Sequence, residues 1–184
     1  DILDAKYKKA DLKKVVEAAV HLTNEERDKL YTLLKKHKDL FDGTLGTFTS
    51  KPYDIKLEEG VEPFHTRPFP VPRIHEFMFK LELDRLCSLG VLKKVNRSQW
   101  GAPTFIIPKK DGTVWFISDF RELNKCIQRE PYPIPRIQDL LLRLEGFRFG
   151  TSLDLNMGYY HITLSDHSKE LCTITPQCIK YKYQ

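Results

Sequence analysis

One carboxylate stands out for its setting. Asp154 lies in the string Thr151-Ser152-Leu153-Asp154-Leu155-Asn156-Met157-Gly158-Tyr159-Tyr160-His161-Ile162, which reads as a short apolar strand that ends on an acid and passes at once into a small helical turn. An aspartate in that position is a hard-oxygen ligand for a divalent cation, or simply a helix cap or turn former. Nowhere in the 184 residues do two aspartates stand side by side to complete a metal site. A second chemistry sits on cations. Lys109 and Lys110 precede Asp111-Gly112 between two apolar runs, the strongest short-range signal of a β-hairpin. A hairpin tip has no core to serve, so both ammonium groups are expected to be exposed and free to reach phosphates.

Positioning these residues requires a mixed architecture. Residues 6–40 are lysine-rich and helical in pattern, and Thr23-Asn24-Glu25-Glu26 has the form of a capping box ahead of an apolar stripe of Leu30, Tyr31, Leu33 and Leu34. The stretch from Phe41 to Gly46 ends the helix. Pro63, Pro68, Pro70 and Pro72 then force an extended crossing over the surface. Pro72 suits the first turn of a helix running to about Leu89, with Ile74, Phe77, Met78, Leu81, Leu86 and Leu89 spaced for burial and Gly90 as its left-handed stop. Short strands follow at 91–95, 104–108 and 114–118, a helix at 134–144, and strands around 148–153, 160–164, 171–175 and 179–183.

Composition narrows the function classes. With 41% apolar residues the chain can build a core. Residues 1–90 carry 16 Lys/Arg against 16 Asp/Glu, whereas residues 91–184 carry 14 against 9 and hold the whole +5, so the second half is the better candidate to meet a polyanion. No apolar signal segment opens the chain and no run approaches the roughly 20 residues that span a bilayer, so an intracellular protein with reduced thiols and no membrane partner is expected. Cys172 and Cys178 with His161 and His167 fit no common zinc spacing. His75-Glu76 lacks the second histidine of a zinc-protease helix, and phosphate-loop, dinucleotide and serine-hydrolase motifs are missing.

Five strings occur in one order: Trp100-Gly101-Ala102-Pro103, Pro108-Lys109-Lys110-Asp111-Gly112-Thr113, Asp119-Phe120-Arg121-Glu122-Leu123-Asn124-Lys125, Tyr132-Pro133-Ile134-Pro135-Arg136-Ile137, and the Asp154 string. Together they resemble the fingers and palm of gypsy-type long-terminal-repeat retrotransposon reverse transcriptases, relatives of the retroviral enzymes, over about residues 39–184. The lysine-rich start resembles, more weakly, the connector that precedes the polymerase in such polyproteins. The resemblance implies an α+β right-hand polymerase fold, with a helical connector over residues 1–50 and the fingers and first part of the palm over 51–184. It implies RNA-directed DNA polymerase chemistry in the full-length enzyme. The implied partners are an RNA template, an RNA/DNA hybrid, deoxynucleotide triphosphates and the rest of the polymerase and RNase H polyprotein. The implied location is the cytoplasm, a virus-like particle or the nucleus.

Roles follow by the same resemblance. Phosphoryl transfer of this kind uses divalent ions about 3.5 to 4 Å apart, so Asp154 would be the catalytic, metal-binding carboxylate and Mg2+ the ion, two of them in the complete enzyme. Tyr159 corresponds to the aromatic that packs under the sugar and excludes a ribose 2′-hydroxyl, with a core or rim aromatic as the alternative. One of Lys109 and Lys110, Lys109 by preference, approaches the triphosphate. Arg121 resembles a fingers arginine near the template strand, and an internal ion pair with Asp119 or Glu122 is the equal alternative.

Two departures stand against the pattern. Trp115 occupies the place of an arginine that binds the triphosphate in relatives, and removing one such interaction of about 1.5 to 3 kcal/mol weakens nucleotide binding roughly ten- to a hundredfold. Gln177-Cys178-Ile179 replaces a tight glycine turn. Past the point reached by Gln184 the family continues into a Leu-Pro-x-Gly stretch and a Tyr-x-Asp-Asp hairpin with two further metal ligands. The expectation is therefore a fragment with little or no activity alone, weak or no metal binding, and a last palm strand left as an edge open to dimerisation. The rival readings are a non-catalytic nucleic-acid-binding module and a domesticated interaction protein that uses the 6–40 helical region.

Overall fold

The computed structural model describes residues 9–110, 112–148, 150–155, 157–177 and 179–184. Expectations that rest on Lys6, Asp111, Asn156 or Cys178 fall outside the described residues. The chain divides into two compact units, one drawn from Asp1–Thr49 and Leu153–His161, the other from Ser50–Ser152 and Ile162–Gln184.

In the first unit two helices form a hairpin. Asp11 caps α1 (Leu12–Ala18) by accepting the Lys13 and Lys14 N–H groups at 3.2 and 3.3 Å. The predicted capping box opens α2 (Asn24–Lys36): Thr23 Oγ1 accepts the Glu26 N–H at 3.3 Å, and Glu26 Oε2 accepts the Thr23 N–H at 2.8 Å. That second bond holds the Glu26 carboxyl below its ordinary value. Leu30, Tyr31 and Leu34 are half-buried while Leu33 is exposed. A 3-10 turn (Lys38–Phe41) ends the helical run, and Asp42 Oδ1 accepts the Thr44 N–H at 2.8 Å in a side-chain turn. The break predicted from Phe41 onward is present.

The second unit is α+β. Among the described residues it contains one mixed five-stranded sheet in the order β1 (Leu92–Val95), β5 (Lys180–Tyr183), β4 (Thr173–Thr175), β2 (Ala102–Pro108), β3 (Val114–Ser118). All neighbours are antiparallel except β2 and β4, where Ala102 pairs with Ile174 and Pro103 with Thr175 in parallel. The Asp-Gly signal forms the predicted hairpin: Lys109 N–H donates to Thr113 O at 2.8 Å, and Gly112 has φ of +82°. Strand β5 lies between β1 and β4. The last strand is therefore no edge, contrary to expectation, because it is hydrogen-bonded on both sides; the edges among the described residues are β1 and β3.

Helix α3 (Arg73–Ser88) starts after Pro72 and stops as expected, with Gly90 at φ of +73° and the Val91 N–H reaching back to Leu86 O at 3.0 Å. The buried face matches the predicted one only in part, at Leu86. Phe79, Leu83 and Leu86 are buried, with Phe79 stacked on Phe116 of β3 at 5.6 Å, whereas Ile74 and Phe77 are 82% and 71% exposed. Two apolar stripes compete on this helix, and the one at i, i+4, i+7 faces the sheet.

A second core gathers Ile55, Trp100, Leu123, Leu171 and Cys172, with Leu57, Phe64, Phe120 and Tyr183 against it. The proline-rich crossing runs extended as predicted, yet it is stitched inward as well as laid over the surface. Tyr53 bridges Leu164, Leu57 bridges Ile127, and His65 bridges Gly101. Ile55 is buried, and its N–H donates to Ser168 Oγ at 2.7 Å. Ser168 belongs to α6 (Asp166–Leu171), a helix that the sequence pattern does not announce. The same holds for α4 (Arg121–Cys126), and α5 (Ile137–Arg143) is shorter than the 134–144 expected.

Two expected strands do not form. Residues 150–155 have no regular structure, and 158–161 is a 3-10 turn rather than the start of a strand. Among the described residues no strand runs beside 150–155, and Leu153 and Leu155 are exposed, so neither a ladder nor a core face holds that segment straight.

Candidate functional site

The candidate cations and the candidate carboxylate belong to different units. In the second unit the β2–β3 hairpin carries Lys109 and Lys110. Lys110 is exposed, as expected. Lys109 is not a free cation: it is half-buried, with its Nζ 5.4 Å from the centroid of the Trp115 ring. Trp115, the departure from the family pattern, is thus the platform on which Lys109 rests. Sequence spacing hides this contact because the two residues come together only once the hairpin closes, and the residue directly across from Trp115 is Ile107.

Arg121 follows the second of its two readings. Its Nε and Nη2 donate to Asp119 Oδ1 and Oδ2 at 2.9 and 2.7 Å, a bidentate pair. The Arg121 side chain is 81% exposed and that of Asp119 11%. Asp119 also accepts the Arg121 backbone N–H at 3.1 Å, so the carboxylate ties down the first turn of α4. The Arg121 hydrogen bonds hold the Asp119 carboxyl below its ordinary value, and Asp119 raises that of Arg121. Glu122 pairs with Lys125 at 2.7 Å instead.

In the first unit Asp154 is exposed on the irregular segment that precedes the 3-10 turn Gly158–His161. Met157 takes a left-handed φ of +52°, a conformation that costs a non-glycine residue roughly 1 to 2 kcal/mol. The turn is closed by the Tyr160 N–H to Met157 O at 2.8 Å. It is anchored by the Phe48 N–H to His161 O at 2.9 Å and by edge-on packing of the two rings at 5.7 Å. Tyr159, on that turn, is 97% exposed, so it is neither a core nor a rim aromatic.

Magnesium demands near-octahedral oxygen coordination. Among the described residues no group of three or more His, Cys, Asp or Glu side chains is gathered. One carboxylate, Asp154, does not make a two-ion site, so the residues present do not fit the pair of ions that the family pattern implies. Cys172 is a poor ligand as well, because burial pushes its thiol up to about 11. No described helix is long and apolar enough to cross a membrane.

The chain has the fold of part of a foamy viral protease–reverse transcriptase. The Prototype Foamy Virus protease–reverse transcriptase matches it with a TM-score of 0.78 at 23% identity, over 94% of this chain and 23% of that one. The foamy viral protease–reverse transcriptase solved in complex with an RNA/DNA hybrid matches with a TM-score of 0.75 at 22% identity, over 94% and 24%. In sequence the chain is similar to retrotransposon Pol polyproteins. It is 26% identical over 170 residues to the retrovirus-related Pol polyprotein from transposon 297 of Drosophila melanogaster, covering 89% of this chain and 16% of that protein. It is 31% identical over 129 residues to the corresponding polyprotein from transposon gypsy of the same fly, covering 66% and 12%. The chain thus spans a small part of the length of the relatives it matches. No protein-family model matches it.

Proposed function

We propose that the chain is the fingers and first part of the palm of a retrotransposon reverse transcriptase, and that by itself it grips nucleic acid without turning over nucleotides. The observation that carries this reading is the likeness of fold to a protease–reverse transcriptase over 94% of the chain. The ordered Trp-Gly-Ala-Pro, Lys-Lys-Asp-Gly, Asp-Phe-Arg and Asp154 strings support the same reading. Residues 1–50 serve as the connector to the rest of the polyprotein.

The residues act in stages. Lys110 reaches phosphates as an exposed point charge, and Lys109, held against Trp115, presents its charge from a fixed platform. Arg121 keeps four-fifths of its surface in solvent while paired to Asp119, so a phosphate would have to compete with that carboxylate. Tyr159 offers an open aromatic face to a sugar or base. Asp154 offers a single hard-oxygen ligand, and one carboxylate cannot hold two magnesium ions. That scarcity of ligands favours the non-catalytic nucleic-acid-binding reading for this chain acting alone.

Primer extension on an RNA template with magnesium tests the proposal. Purified 1–184 is expected to give little or no deoxynucleotide incorporation while retaining an RNA/DNA hybrid at low salt. Robust incorporation that Asp154→Asn abolishes would overturn the non-catalytic reading, and failure to retain the hybrid would overturn the nucleic-acid reading altogether.

A further inference from the structure

A cleft of about 540 Å³ opens in the second unit, lined by Asn96, Arg97, Ser98, Gln99, Trp100, Glu170 and Lys180. None of the candidate polymerase residues lines it. Its volume is that of a small-ligand site.

The walls are fixed by their own bonds. Ser98 Oγ accepts the Trp100 N–H at 3.1 Å, which turns the chain between β1 and β2. Lys180 Nζ donates to Ser98 O at 2.7 Å and ties that turn to the start of β5. Trp100 is buried, with its ring edge-on to Phe64 at 5.2 Å, so the apolar side of the cleft is rigid. Glu170, also in the lining, accepts from Lys182 Nζ through its Oε1 at 2.6 Å, which offsets the one carboxylate present. Arg97 is exposed, and among the described residues it makes no hydrogen bond or ion pair. The unpaired Arg97 guanidinium thus keeps its donors unspent in the lining, beside the amides of Asn96 and Gln99 and beside Lys180, whose ammonium already serves Ser98 O.

We infer that this cleft binds a phosphate group, with Arg97 as its principal ligand and Lys180, Asn96 and Gln99 as secondary donors. Guanidinium recognises a tetrahedral oxyanion through paired N–H bonds, and further ammonium and amide donors in the same lining suit the several oxygens of a phosphate better than a two-oxygen carboxylate. The inference stands apart from the proposed function, because it uses neither the hairpin lysines nor Asp154. A free anion, a mononucleotide and a nucleic-acid backbone all present this group; the chemistry is shared, and the experiment separates the sources.

The test follows the indole N–H resonances of the two tryptophans of 1–184 by two-dimensional NMR. The additions are inorganic phosphate, a nucleoside 5′-monophosphate, a short single-stranded oligonucleotide without terminal phosphate, and acetate at matched ionic strength. Expected is a saturable shift of the Trp100 signal by at least one phosphate source and no saturation with acetate; the source that saturates at the lowest concentration identifies the ligand. Arg97→Gln, an exposed change, should weaken that affinity about ten- to a hundredfold with the thermal midpoint unchanged. Unshifted Trp100 with every phosphate source, equal saturation by acetate, or undiminished affinity in Arg97→Gln would each overturn the inference.

Discussion

Replacing Ser168 by alanine should loosen the second unit from within. Ser168 is fully buried, and its Oγ accepts the Ile55 N–H at 2.7 Å. It also lies 3.0 Å from Ser165 Oγ, in a cluster where Ser165 Oγ donates to the Asp54 carboxylate. Alanine removes the acceptor while Ile55 stays among apolar neighbours, so a buried N–H is left unpaired at a cost of about 1 to 3 kcal/mol. The volume removed is one oxygen, so little cavity cost adds to it. A change of about 2 kcal/mol in a domain of this size lowers the melting midpoint by roughly 4 to 8 °C. The structural consequence is specific: the 53–57 crossing detaches from α6, the helix that leads into central strand β4. Denaturant unfolding gives the magnitude, and amide exchange at Ile55 gives the place. A loss below about 0.5 kcal/mol with Ile55 still protected would refute the reasoning.

Gly101→Ala should destabilise by about 1 to 3 kcal/mol, since a Cβ there would stand 2.3 Å from His65 Cδ2 and 2.9 Å from Thr175 Oγ1. The double change with His65→Ala should recover part of that loss in a denaturant series, and purely additive losses would count against a steric cause. The Asp119–Arg121 pair makes stability depend on acid: a carboxyl held below its ordinary value stabilises above about pH 4, and that contribution fades as pH falls through the lowered folded value. Unfolding curves from pH 6 to pH 2 should therefore be flatter at the acid end for Asp119→Asn than for the parent, and identical slopes would deny the pair a role.

How much of this was legible in the sequence depended on how local the determinants are. The capping box at Thr23 and Glu26, the Gly90 stop and the Asp-Gly hairpin are each set by a few neighbouring residues, and each stands where its pattern put it. The buried face of α3 differs from expectation because its apolar residues serve two stripes, and only the sheet decides between them. The strand expected around 148–153 is absent over its described residues 150–153, and the one at 160–164 is absent too, for a related reason: alternation describes a strand only when a neighbour supplies the ladder. The parallel pairing of Ala102 with Ile174 joins residues far apart in sequence, and no turn signal announces such a pairing. At the candidate site the residue types were readable, but the partners of Lys109 and Arg121 were not, since both depend on how the chain folds back.

The most direct measurement is the affinity of 1–184 for a short RNA/DNA hybrid as a function of salt, read by fluorescence anisotropy. A fingers-and-palm surface that grips phosphates should bind with a steep linear fall of log affinity against log salt. Replacing Lys109 and Lys110 together by glutamine should weaken binding and reduce the slope by roughly 2, about one for each ammonium group withdrawn from a phosphate. Asp154→Asn should leave that curve in place. Absence of binding at low salt, or a curve unmoved by removal of both lysines, would contradict the nucleic-acid-gripping role.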